Sequence, residues 1–268
     1  MNISIVTTFN QEGLDKYGQR MLDSFAKNWP DTITLFAYAE NCTPVVTAKN
    51  IQVVDMTKTC TKLNAFKERW TGVPKANGDV TDDPIRSKRK DSGKGFKWDA
   101  VRFSHKVYAI FDCASKINTD WLVWMDADTY CHSPITYDQI EKFFPKEKDL
   151  CFLGREGKYT ECGLYGMNMQ KDDTLKFLEK FEYMYENAEQ GIFTLDEWHD
   201  SFVFDAVRKQ FNLNELNWSS GIIKGEGHPL INSDWGAYLD HLKGARKDTG
   251  KSHAKDLKIR RTESYWTN

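Results

Sequence analysis

Asp126-Ala127-Asp128 ends the apolar run Trp121-Leu122-Val123-Trp124-Met125. Such a run reads as a buried strand, and alternation along an extended chain turns positions 126 and 128 to the same side. Two carboxylates emerging together where a strand meets solvent suit one hard divalent cation, and the small Ala127 leaves room for a ligand. A second segment able to do chemistry stands near the carboxyl end, His241-Leu242-Lys243-Gly244-Ala245-Arg246-Lys247, an H-x-x-G-x-x-K pattern. A neutral imidazole completes a metal's coordination. A glycine lets backbone N–H groups approach phosphate oxygens, and a lysine contributes a compact positive charge. Singly, the acidic pair also fits a solvated turn and the late segment a basic tail. Together they are complementary: carboxylates and imidazole for a cation, the cation for a diphosphate, glycine and lysine for the remaining oxygens. Such a set assists departure of a diphosphate, because the developing negative charge is the main obstacle to breaking the bond.

The elements that must position these groups follow an α/β rhythm. Residues 3–8 read as a first strand, and a helix follows with Tyr17, Met21, Phe25 and Trp29 on one stripe until Pro30 stops it. Residues 32–39 and 51–56 read as the next two strands, the start of a largely parallel sheet. Between Thr71 and Lys97 the pattern fails. Gly72, Gly78, Gly93 and Gly95 alternate with charges, including Arg86-Ser87-Lys88-Arg89-Lys90-Asp91, which predicts a mobile surface loop: a solvated insertion, or a flap over a bound anion. A helix over 98–114 buries Ala100, Phe103, Val107, Ile110 and Ala114, while Arg102 and Lys106 share another face. Beyond the Asp pair, strands are expected over 150–153 and 162–169 and helices over 173–186 and 195–211. From Gly225 onward no clear periodicity remains, and the chain contains no internal repeat. We read residues 1–224 as the main body and 225–268 as a segment of the same domain that closes over a diphosphate.

A chain of 268 residues has ample length for one large domain. With 37 Lys and Arg against 39 Asp and Glu, no global field selects nucleic acid or an anionic membrane. The amino-terminal Met1-Asn2-Ile3-Ser4-Ile5-Val6 enters a strand at once, so neither a signal peptide nor a membrane span is expected. Cys42, Cys60, Cys113, Cys131, Cys151 and Cys162 are scattered without a C-x-x-C pair. Free thiols in a reducing, cytoplasmic compartment are the expectation.

The early Thr7-Thr8-Phe9-Asn10 loop, a helix carrying Arg102, the D-x-D at 126–128 and the late H-x-x-G-x-x-K together resemble the GT-A-fold glycosyltransferases, most closely family 8, which includes glycogenin and bacterial lipopolysaccharide galactosyltransferases. The resemblance covers most of the chain. It implies a GT-A fold with a mostly parallel central sheet flanked by helices, and transfer of a sugar, with retention, from a nucleotide-diphosphate sugar such as a UDP-hexose. It implies manganese (or magnesium) on Asp126, Asp128 and His241, with Gly244 and Lys247 on the diphosphate. By the same resemblance Arg102 touches donor sugar and phosphate, Asp200 in Trp198-His199-Asp200 stands near the anomeric carbon, and Thr7, Thr8 and Asn10 hold base or ribose. Residues 161–168 take the spacing of the family's acceptor-side N-A-G-x-x-x-x-N strand, with Glu161 in place of the first Asn. The implied partners are a nucleotide-sugar donor and a glycan, lipid-linked glycan, protein or other acceptor. Departures are that Lys247 precedes Asp248-Thr249 rather than Pro-Trp, and that the base-reading loop lacks an acidic residue. His228 and Asp234 are further candidates, with a satisfied turn as their simpler explanation.

Two other functions fit parts of the pattern. Asp126-Ala127-Asp128-Thr129 matches the D-x-D-x-T loop of haloacid-dehalogenase-like phosphatases, although the triplet is mid-chain and the sole Gly-Asp pair, Gly78-Asp79, precedes it. A sugar- or nucleotide-binding module without turnover would keep aromatics such as Trp218, Trp235 and Trp266 for stacking on sugar rings.

Overall fold

The protein is described by a computed structural model, which covers residues 1–225 and 227–268. Apolar alternation builds the strands β1 (Ile3–Asn10), β2 (Thr34–Glu40), β3 (Ile51–Asp55) and β4 (Trp121–Met125). After Asp126-Ala127-Asp128 come β5 (Thr129–Cys131), β6 (Leu150–Leu153), β7 (Glu161–Asn168), β8 (Glu215–Asn217) and β9 (Leu239–His241). Seven of them form one sheet in the order β3-β2-β1-β4-β7-β6-β8. The pairs β3–β2, β2–β1, β1–β4 and β6–β8 are parallel, and β7 runs antiparallel between β4 and β6. This is an α/β fold with a mostly parallel central sheet, as expected. Both faces of the sheet are covered. One carries the helices Thr61–Trp70, Ala100–Lys116, Asp172–Glu186 and Asp200–Arg208, and the other carries Gln19–Asn28. Strands buried on two faces read as continuous apolar runs, and every residue of β4 is buried.

Three expectations need correction. The Thr71–Lys97 segment is not a free loop. It turns through Pro74–Asn77, Arg86–Lys88 and Gly95–Trp98, buries Ala76 and Val80, and ties its basic run down. Arg86 donates to Leu195 O at 2.7 Å, while Arg89 and Lys97 meet the buried Glu197 carboxylate at 3.0 and 2.7 Å. The helix read over 195–211 is Asp200–Arg208, because His199 accepts the Phe202 N–H as its cap and Trp198 turns into the core. The stretch after Gly225 holds short ordered elements: Pro229–Asn232, Asp234–Ala237, β9 and Arg246–Thr249. Trp235, fully buried, stacks on Phe143 with ring centroids 3.7 Å apart, so residues 225–268 share the core of the main body.

Candidate metal centre

Asp126 and Asp128 leave β4 in a tight turn closed by Thr129 N–H to Asp126 O at 3.0 Å, and Asp126 N–H donates to Gly163 O on β7 at 2.8 Å. The chain then enters β5, which pairs antiparallel with β9 and sets Thr129 opposite His241. Leu242 N–H donates to Asp128 O at 2.9 Å. This two-stranded ladder carries an imidazole from the end of the chain to the two aspartates. His241 Nε2 lies 3.4 Å from Asp126 Oδ2 and 3.0 Å from Asp128 Oδ1. The three ligand atoms all fall within 4.8 Å of one another.

The donor set fits a small divalent cation on two counts. Octahedral ligands about 2.1 Å from a metal stand roughly 3.0 Å apart along an edge, close to the two separations from the imidazole. The imidazole is also buried, and its Nδ1 has no hydrogen-bond partner among the described residues, with Glu161 Oε1 3.9 Å away. Packing so costly to a polar ring is expected where the other nitrogen is committed to a ligand.

Electrostatics pull the carboxylates and the imidazole apart in proton affinity. Burial raises Asp126, but the Lys106 ammonium and the His241 hydrogen bond outweigh it and hold the carboxyl at about 2. Asp128 is driven the same way by His241 and Lys247 against burial, well below the usual carboxylate range. Burial disfavours the imidazolium, yet the two aspartates push His241 up to about 9. Lys247 Nζ stands 2.9 Å from Asp128 Oδ2 and 4.5 Å over the Tyr17 ring. Tyr17 sits on a π-helical turn, Leu14–Gly18, ahead of the Gln19–Asn28 helix. It packs against the core with the rest of its stripe and also meets Lys247 at the site.

Lys106 is the residue that sequence reasoning missed. The helical spacing sets it on a face with Arg102, away from the apolar stripe, yet it is buried. Its ammonium bonds Asp126 Oδ1 at 3.0 Å, Asp200 Oδ2 at 2.8 Å and the Cys162 carbonyl. Burial works against its charge and the two carboxylates prevail, so its pKa lies well above the ordinary value. A buried cation needs partners, and an apolar helix face with one lysine between Ser104 and Tyr108 is the signal that could have found it.

The other expected site residues fall as follows. Asp200 joins the centre through Lys106. Arg102 is exposed and packs over Phe103, with its guanidinium 5.8 Å from the ring and no carboxylate within reach among the described residues. Gly244 has a positive φ of 58° with open space around it, in the turn where Lys247 N–H donates to Gly244 O at 3.1 Å. Thr7 is fully buried with an unpaired hydroxyl, whereas Thr8 donates to Tyr38 O at 2.8 Å. Asn10 caps the following helix through Gly13 N–H at 2.9 Å. Glu161 is buried beside His241 and is ion-paired to Lys243. Lys243 and Arg155 override the burial that would raise it, and its carboxyl falls to about 2. His228 Nε2 donates to the His241 carbonyl at 2.8 Å, behind the imidazole, while Asp234 is exposed.

A cavity of about 360 Å³ opens beside Asp126 and Asp200, walled by Phe96, Phe103, Tyr159 and His199 and by the ends of Lys94 and Lys243. Aromatic faces set among charged groups suit a polar ring compound such as a sugar. No family model matches the chain, and no curated protein matches it. Among the described residues no helix is long and apolar enough to cross a membrane.

Proposed function

We propose that the protein is a metal-dependent glycosyltransferase of the GT-A type, resembling family 8, that moves a hexose from a nucleotide-diphosphate sugar, UDP-hexose first among them, to an acceptor hydroxyl. The observation that carries this reading is the meeting of Asp126, Asp128 and His241 at one point, with Lys247 on Asp128 and a sugar-sized cavity alongside. Manganese or magnesium held by the three side chains supplies positive charge against the diphosphate leaving group.

The chain's own residues do the rest. Lys247 brings an ammonium to the edge of the ligand set, where a diphosphate oxygen can replace Asp128 as its partner. Gly244, with φ already positive, lets backbone approach the same oxygens. Lys106 fixes Asp200 beside the cavity, so its carboxylate faces the place where positive charge develops at the sugar's anomeric carbon. Arg102, exposed at the start of its helix, is free to reach donor phosphate. At the end of β1, Thr8 and Asn10 stay in reach of solvent on the side where the base and ribose would lie, whereas Thr7, part of the same expectation, is fully buried. A retained anomeric configuration follows from the family resemblance alone. The six unpaired cysteines fit a cytoplasmic setting.

The test is a panel of nucleotide sugars assayed for manganese-dependent hydrolysis, since donor leaks to water without an acceptor. Asp128→Asn is expected to abolish the metal-dependent rate while its circular dichroism matches the parent. A variant that keeps full rate refutes the assignment, and a covalent aspartyl-phosphate trapped during turnover would favour a phosphatase instead.

A further inference from the structure

A second cavity, of about 420 Å³, lies on the other side of the 154–160 loop and shares Arg155 and Lys158 with the first. Its charged lining is Arg155, Lys158, Arg208 and Lys209 against Glu156 and Asp205. The two acids are not available to a cation there. Asp205 is buried and spent on Thr160 N–H at 2.9 Å, Thr160 Oγ1 at 2.7 Å and Arg208 at 3.1 Å. Glu156 projects into solvent, 68% exposed, toward Lys224. Arg208 is anchored by Asp205 and by Glu215 at 2.6 Å, whereas Lys209 is exposed and has no ion-pair partner among the described residues.

Asn217 adds a neutral donor whose orientation is fixed by its neighbours. Its Oδ1 accepts Gly154 N–H at 2.8 Å and Ser219 N–H at 3.0 Å. Two backbone N–H groups can only face an oxygen, so Nδ2 is the other atom. No described residue accepts from that Nδ2, and Asn217 lines the cavity. Among the described residues, Lys209 and Asn217 Nδ2 are thus donors at this cavity without a protein acceptor, the pattern that binds an oxyanion. Arg155 also links the cavity to the metal centre, because its Nη1 stands 3.6 Å from the Glu161 carboxylate beside His241.

We propose that this cavity binds a phosphoryl group, and that the group belongs to the acceptor: the sugar receives its new bond in the first cavity while its phosphate is held by Asn217, Lys209 and Arg155 in the second. The acceptor half of this statement rests on the glycosyltransferase reading; the anion site does not.

Inorganic phosphate titrated calorimetrically into the full chain, with chelator and without nucleotide, tests the site. Saturable binding is expected, weakened roughly tenfold or more by Lys209→Glu and by Asn217→Asp, as loss of a charge-assisted bond implies. Asn217→Asp keeps the oxygen that accepts from Gly154 and Ser219, so it tests the donor without removing the loop's anchor. Unchanged binding in both variants, or none in the parent, overturns the proposal. Transfer to a sugar phosphate is then compared with transfer to the same sugar unphosphorylated. A lower KM for the phosphorylated acceptor, lost in Asn217→Asp, supports it. Equal use of both, with phosphate still bound, makes the ligand a free anion and overturns the acceptor assignment. Phosphate binding that responds to the variants, together with no transfer from any donor, leaves the anion site standing and removes the transferase reading.

Discussion

Lys106 and Asp200, 94 positions apart in sequence, are joined by an ammonium–carboxylate contact of 2.8 Å in which both side chains are shielded from water. The same ammonium holds Asp126, so one cation pins two helices to the end of β4. Lys106→Met should leave Asp200 without its ammonium and Asp126 with His241 as its remaining cation. We expect a loss of about 3–5 kcal/mol, the usual consequence of removing one partner from a buried ionic cluster. Urea unfolding measures it, and an unchanged midpoint would show that the contact has no structural weight.

Gly163 is the floor under the ligand ring. A methyl group there would sit 2.4 Å from His241 Cε1 and 2.6 Å from Nδ1. Gly163→Ala should push the imidazole off the aspartates and weaken manganese binding roughly 10-fold or more, the scale of changes just outside a ligand set. Calorimetric titration at a temperature where the variant is folded checks this. Parental affinity would mean the ring is not a ligand.

Glu197, 2% exposed, gathers Arg89, Lys97 and His199 within 3.0 Å. Burial raises its carboxyl, but His199 and Lys97 hold it at about 2. Glu197→Gln should cost about 3 kcal/mol and expose the 71–97 segment to trypsin, which has several lysines and arginines there to cut. Cleavage no faster than in the parent would mean that segment is fastened elsewhere.

His132 is stacked on Tyr265, ring centroids 4.0 Å apart, and burial lowers its pKa to about 4. The unfolded imidazole titrates near about 6.5. Between these values the unfolded chain binds the extra proton, so this group's contribution to stability is full above the unfolded pKa and declines as pH falls toward 4. His132→Asn should flatten the melting-temperature profile between pH 4 and 6.5. An equally steep profile would assign the acid sensitivity to other groups.

The β1, β2, β3 and β4 strands and the helix bearing Arg102 were legible because each repeats its apolar period over several residues. The Asp pair was legible because a long buried strand delivers it. What could not be read lies in contacts with distant partners. Glu197 restrains Arg89 from 108 positions away, so a basic run that reads as solvated is in fact held down. Lys106 depends on carboxylates 20 and 94 positions off. β5, β8 and β9 are three residues each, too short to show alternation. The H-x-x-G-x-x-K spacing still located His241 and Lys247, because a tight turn keeps those positions close regardless of any strand.

The β5–β9 ladder also dictates when the centre can exist. A growing polypeptide presents both aspartates to the cell long before residue 241 has been synthesised, and among the described residues the cation from an earlier segment that meets the pair is Lys106, on Asp126. On the proposed metal role, affinity for a divalent ion would be acquired late in the life of each molecule, because a chain that ends before β9 holds all seven strands of the main sheet but lacks the imidazole.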